Sequence, residues 1–134
     1  VDLLVRGVCA LRPGVKGLSE NIRVRSIIGR FLEHTRIFYF RNDMKYDVYL
    51  ASADWMDRNF FRRIEVCFPV LDKKLKKRVI DEGLKVYLQD NCMAWDMEGE
   101  GRYRRKLPRR AARKSAQDEL LRQLASLPAN AASN

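Results

Sequence analysis

The sequence predicts a mixed α/β fold, and three patterns predict it. Short β-branched and aromatic runs alternate apolar with charged residues, as in Ile22-Arg23-Val24-Arg25. One stretch, residues 72–89, repeats apolar side chains at helical spacing. Ser115-Ala116-Gln117-Asp118 pairs an N-cap residue with an acid three positions on, the start signal of a second helix. A length of 134 residues suits one domain with a modest core.

Residues 1–5 form an apolar strand from the first position, which leads to the expectation that the chain continues from a longer protein. Arg6-Gly7 then opens a loop punctuated by Pro13, Gly14 and Gly17. Residues 22–28 form a second strand, with Ile22 and Val24 on one face and Arg23 and Arg25 on the other. Side chains two apart on a strand face stand roughly 6.5 Å apart, a separation that suits neighbouring phosphates. Residues 37–40 and 47–51 make two more strands, joined by a polar connection over 41–46. Ile64, Val66 and Phe68 alternate with Arg63, Glu65 and Cys67 in a further strand that stops at Pro69. The helix over 72–89 has Leu71, Leu75, Val79, Leu84 and Leu88 as its buried stripe. Lys73, Lys74, Lys76, Lys77 and Arg78 form its solvated face. Residues 91–97 and 102–105, with Gly99 and Gly101 between them, read as a hairpin. In the last helix Leu120, Leu121, Leu124 and Leu127 are apolar, and Pro128 ends it. Residues 129–134 are expected to be a loose tail.

The formal charge is +10 and the isoelectric point about 9.9. Such a balance predicts an anionic partner and does not choose among nucleic acid, nucleotide, inorganic polyanion and acidic membrane surface. Cys9, Cys67 and Cys92 are odd in number and widely spaced, so they read as reduced core thiols and neither as a disulfide framework nor as a zinc set. No apolar run approaches the length of a membrane span.

The lone histidine, His34, lies in Phe31-Leu32-Glu33-His34-Thr35-Arg36, close after the alternating arginines. Imidazole exchanges a proton near neutral pH, and guanidinium grips phosphate oxygens with a planar fork. Together they suit a phosphoryl-transfer pocket, which works by positioning and charge neutralisation. Arg6 follows a strand end, where phosphate sites in α/β sheets tend to lie. Asp54 has three open readings: fixing one tautomer of His34, pairing with an arginine, or capping the turn at Trp55. Arg58 reads as a brace for a neighbouring carboxylate or as a substrate contact, and Arg12 as a loop stiffener bonded to carbonyls. Trp55 and Phe38-Tyr39-Phe40 read as core rather than as a stacking platform. Residues 102–114 hold eight basic residues and no acid, a solvated linker or a polyanion track.

Residues 6–15 (Arg6-Gly7-Val8-Cys9-Ala10-Leu11-Arg12-Pro13-Gly14-Val15) and 18–27 resemble polyphosphate kinases. The likeness continues through Phe31-Leu32-Glu33-His34-Thr35-Arg36, Ser52-Ala53-Asp54-Trp55-Met56-Asp57-Arg58-Asn59, Arg63-Ile64-Glu65-Val66 and Ser115-Ala116-Gln117. The resemblance implies a phospholipase D-like mixed sheet with flanking helices, incomplete at its N-terminal side, over residues 1–128. It also implies transfer of the terminal phosphate of ATP to inorganic polyphosphate through a phosphohistidine outside this chain. Under it, His34 is the catalytic residue, and Arg6, His34, Arg23, Arg25 and Arg36 contact ATP or polymer phosphates. Asp54 and Arg58 support them. Mg2+ comes with ATP and finds no ligands here. ATP or ADP, polyphosphate and the remainder of the same polypeptide are the implied partners. The full-length enzyme is expected to be a homo-oligomer in the cytoplasm, with or without a peripheral association with the inner membrane.

Two departures from the family pattern stand out. The hairpin Arg41-Asn42-Asp43-Met44-Lys45-Tyr46 lacks the glycine pair common there, so its tip is expected to differ in shape. Arg36 stands where the broader phospholipase pattern has lysine, which disfavours hydrolase chemistry. The rival reading is a basic nucleic-acid-binding module without catalysis. No recognition helix, zinc finger or RNP-type aromatic motif supports it.

Overall fold

The computed structural model describes residues 1–108 and 111–126. In chain order the elements are β1 Asp2–Leu4, β2 Arg23–Ile27, β3 Ile37–Asn42, β4 Lys45–Ala51, α1 Asp57–Arg62, β5 Cys67–Pro69 and α2 Lys73–Ile80. A π-helical segment, Asp81–Lys85, leads into α3 Val86–Gln89, and β6 Ala94–Met97, β7 Tyr103–Arg105 and α4 Ala116–Ala125 follow among the described residues. The strands form two separate sheets, and the chain divides into two compact units, Val1–Leu32 with Val86–Asn134, and Glu33–Lys85. The expected tail at 129–134, Leu127 and Pro128 lie outside the described residues.

The first unit is built on a four-stranded sheet in the order β1-β2-β6-β7, with β1 parallel to β2 and the other pairs antiparallel. Alternation on β2 is as expected: Val24 and Ser26 are buried while Arg23 is exposed. Directly opposed residues carry opposite charges, Asp2 against Arg23 and Arg25 against Asp96, so register and ion pairing reinforce each other. Ile27, Tyr87, Ala94 and Ala116 form the core, joined by Leu4, Val86, Met93 and Leu120.

One carboxylate ties this unit together. Asp90, 1% exposed, accepts backbone N–H bonds from Cys92, Met93 and Ala94 on Oδ1 and from Ala116 on Oδ2. It thereby caps α4 and fixes the entry to β6. Ser115 caps the same helix at Asp118 N, as its sequence signal predicted. The loop before β2 is held by buried Ser19, whose hydroxyl accepts from Val15 N and donates to the Arg12 carbonyl. The stiffening assigned to Arg12 is therefore supplied by Ser19, and Arg12 contributes its main-chain oxygen.

The second unit carries the antiparallel sheet β3-β4-β5. Here the structure corrects several expectations. The strands β3 and β4 run through the supposed connection, leaving a two-residue turn at Asp43 and Met44 with φ of 38° and 66°. That is the left-handed geometry of a tight hairpin, adopted without glycine. The strand expected at 63–68 shortens to β5, which runs on to Pro69, and Ile64 and Val66 are exposed. Residues 57–62, given no element by the sequence, fold as α1. A six-residue helix is too short for its period to show against the neighbouring loop signals.

The helix expected at 72–89 forms, starting from an Asp72 cap on Leu75 N, but the π-helical segment inserts in its middle. The wider turn rotates the apolar stripe. Leu71, Leu75 and Leu88 are exposed, Val79 and Leu84 are half-buried, and Tyr87 takes the buried place in α3. Gly83 lies against Ile37 of β3 so closely that a Cβ there would overlap the isoleucine Cδ1. The three cysteines are free, as expected, but only Cys92 is buried; Cys67 is exposed, so "core thiol" fails for it.

Candidate functional site

His34 and Arg36 lie on the approach to β3, and Asp54 lies just beyond the end of β4, so the β3–β4 pairing brings them together. The Arg36 Nε donates to Asp54 Oδ1 at 2.9 Å, and its Nη1 donates to the His34 carbonyl at 2.7 Å. Of the three readings of Asp54, pairing with an arginine is the one the structure shows, and the backbone also uses the residue as a turn: its carbonyl accepts from Met56 N and Asn59 Nδ2. The hydrogen bond from Arg36 holds the Asp54 carboxyl below the usual carboxylate range, with the charges of Arg36, His34 and Arg58 adding to it. The same bond raises the Arg36 guanidinium further, helped by the charge of Glu65. Glu65 in turn accepts from Ser52 Oγ, which also accepts from Val66 N.

This geometry sorts the roles. Arg36 is clamped between Asp54 and the His34 main chain, so its first effect is to fix the backbone that presents the imidazole. His34 is exposed, and its ring makes no hydrogen bond among the described residues. Arg58, on α1, is exposed and close enough for its charge to act on Asp54. The cluster presents one open imidazole and one open guanidinium around a compensated Arg36–Asp54 pair.

In the first unit, Arg6 follows the end of β1, where Val5 N donates to Arg25 O. Its side chain is exposed and has no carboxylate partner among the described residues. Arg23 and Arg25 differ from it. Arg23 pairs with Asp2 at 2.7 Å. Arg25 grips Asp96 through Nε and Nη2 at 2.6 and 3.1 Å and donates from Nη1 to Leu88 O at 2.6 Å. Both line an open hollow of about 560 Å3, together with Asp2, Glu20, Asp96 and Lys106. Three acids face three bases there, so that hollow is self-neutralised. Arg6 belongs to the first unit and His34 to the second.

Sequence reasoning missed Asn59, Ser52 and Glu65. Asn59 is 5% exposed, and its Nδ2 fixes the Asp54 carbonyl while its Oδ1 has no partner among the described residues. The string Ser52 to Asn59 held the signal: small and amide side chains flanking an acid mark a turn built from side-chain bonds.

A family model described as polyphosphate kinase C-terminal domain 2 matches residues 1–117. The chain belongs to the polyphosphate kinase family. It is 63% identical over 121 residues to a polyphosphate kinase of Paraburkholderia phytofirmans, covering 90% of this chain and 18% of that protein. Against a polyphosphate kinase of Burkholderia lata it is 69% identical over 106 residues, 79% of this chain and 15% of the other. The crystal structure of polyphosphate kinase from Porphyromonas gingivalis superposes with a TM-score of 0.86 at 40% identity, over 92% of this chain and 19% of that one. The chain therefore spans less than a fifth of the length of these polyphosphate kinases. The mixed α/β, phospholipase D-like fold expected from the sequence is borne out by this likeness to the C-terminal part of a polyphosphate kinase. No helix among the described residues is long and apolar enough to cross a membrane.

Proposed function

We propose that this chain is one wall of the phosphate-handling site in an enzyme that moves the terminal phosphate of ATP onto inorganic polyphosphate. The observation that carries this reading is the open imidazole of His34, presented by the Arg36–Asp54 clamp in a chain of the polyphosphate kinase family. Arg6 and His34 hold ATP phosphates. Both are exposed and neither side chain is hydrogen-bonded to a carboxylate among the described residues, so neither must surrender such a partner to bind an anion. Arg58 adds charge beside Asp54. Arg36 and Arg25 act first as braces, because their forks are occupied. Arg23, exposed and paired only with Asp2, is the cation of β2 free to exchange its partner for polymer phosphate.

The nucleophile is a histidine outside this chain. Its ring nitrogen attacks the γ-phosphorus and ADP leaves. A terminal polyphosphate oxygen then attacks the phosphohistidine and restores the imidazole. His34 stabilises charge on the transferring group or donates a proton opposite that nucleophile. Mg2+ arriving with ATP would supply further charge neutralisation at the phosphates, and no residue of this chain is assigned to hold it. Activity belongs to the whole polypeptide, in an oligomer in the cytoplasm, and residues 1–134 alone are inactive.

The test is incorporation of γ-labelled phosphate from ATP into polymer by the full-length polypeptide and by residues 1–134. The full-length protein makes polymer, and His34→Ala lowers its rate. Sustained synthesis by residues 1–134 alone would refute the division of labour. Binding of single-stranded RNA that long polyphosphate fails to displace would favour a nucleic-acid module instead.

A further inference from the structure

The β3-β4-β5 sheet has two faces of different fate. Cross-strand pairing places Ile37, Tyr39, Val48 and Leu50 on one of them. The helical segment covers that face, with Gly83 against Ile37 and Lys76 Nζ donating to the Tyr46 carbonyl, and Val48 is 1% exposed. The opposite face carries Phe38, Phe40 and Tyr49, and Trp55 and Phe60 extend it. The rings touch in two groups, which the strand register places side by side, Phe38 opposite Tyr49. Trp55 lies 5.8 Å from Phe38 and 6.1 Å, edge-on, from Phe60, and Phe40 meets Tyr49 edge-on at 6.3 Å. Yet Trp55 is 77% exposed, Phe40 56% and Phe60 55%.

These three rings, with the half-buried Phe38 and Tyr49 beside them, leave roughly 300–500 Å2 of apolar surface in water, at 150–250 Å2 per ring. That is as large as the largest patch a monomeric soluble protein ordinarily shows, and patches of this kind mark contact surfaces. Bare ring faces offer no donors to phosphate, so a polyanion does not fit the patch. Its size decides between the remaining occupants. A stable contact between separate chains needs about 800 Å2 on each side. A segment tethered to the same chain sits at an effective concentration near millimolar and holds with less. The relatives supply such segments, since this chain spans only 15 to 18% of their length.

We propose that the aromatic face of Phe38, Phe40, Tyr49, Trp55 and Phe60 is the docking surface for an apolar surface of the same polypeptide lying outside residues 1–134. Docking there seats the sheet that leads into His34 and Asp54 against the rest of the enzyme, whatever the substrate. The experiment is hydroxyl-radical footprinting of the full-length polypeptide carrying these residues, free of ATP and polyphosphate, with the urea-unfolded protein as reference. Covering a ring that stands 77% exposed lowers its oxidation roughly tenfold, so Trp55 and Phe40 are expected to show protection of that order, unchanged on dilution to the monomer. Protection near unity overturns the proposal. Protection lost on dilution assigns the face to a second copy, and protection that appears only with ATP or polyphosphate assigns it to ligand; each overturns it.

Discussion

Replacing Asp90 by asparagine is the substitution whose effect the structure sets most directly. The carboxylate is 1% exposed and accepts four backbone N–H groups, three on Oδ1 and one, from Ala116, on Oδ2. Asparagine keeps one acceptor oxygen and turns an NH2 toward the Ala116 N–H. That leaves one buried donor unpaired, at about 1–3 kcal/mol, and turns three charge-assisted bonds into neutral ones at up to about 1 kcal/mol each. Relief of the buried charge offsets part of this, so about 3 kcal/mol is the expected net loss. The assay is urea unfolding followed by Trp95 fluorescence on a Trp55→Phe background, which leaves Trp95 in β6 as the reporter. With a urea slope near 2 kcal/mol/M, the midpoint falls by about 1.5 M. A midpoint within about 0.3 M of the parent would refute the claim that Asp90 pins α4 to β6, since it corresponds to under about 0.6 kcal/mol.

Other substitutions test other parts. Met44 holds φ of 66° at the hairpin tip, so Met44→Gly relieves left-handed strain and stabilises by about 1 kcal/mol, read as a higher urea midpoint. Gly29 leaves no room for a Cβ beside Gln117, whose amide clamps Phe31 N and O; Gly29→Ala is expected to cost about 1–3 kcal/mol in the same assay. Arg36 lowers the Asp54 pKa, so the carboxylate stabilises the fold above its unfolded value near 3.9 and loses that effect as pH falls through the lower folded value. The stability difference between the parent and Asp54→Asn should stay below about 1 kcal/mol for this partly exposed pair. It should be flat from pH 8 to about 5, begin to fall near the unfolded value of about 3.9 and be lost only as pH drops through the lower folded value; a difference that grows in acid would contradict the pairing.

Legibility in the sequence followed the strength of local signals. The strand β2, the hairpin of β6 and β7, and the Ser115 cap were readable because alternation, glycine turns and capping residues act over a few positions. The π-helical segment was not, because a one-residue insertion leaves composition unchanged and alters only which side chains meet the core. The hairpin over 41–46 was legible, but the reach of its strands to Asn42 and Lys45 was not, because its turn uses left-handed residues without glycine. Among site residues, the pattern of His34, Arg36 and Asp54 was legible. The partners were not: Arg25 is matched to Asp96, 71 positions away, by strand register alone. Trp55 and Phe40 were read as core from their apolar character, whereas the sheet turns them outward, since a sequence shows that a face is apolar and not what covers it.

The central proposal is that Arg6 and His34 each contact ATP phosphate. Equilibrium binding of ATP, inorganic tripolyphosphate and adenosine to the full-length polypeptide tests it, comparing the parent with Arg6→Ala and with His34→Ala. Each substitution is predicted to weaken ATP and tripolyphosphate about tenfold or more, the effect of losing one charged hydrogen bond, and to leave adenosine unchanged. Parent-like tripolyphosphate binding by either variant would contradict it.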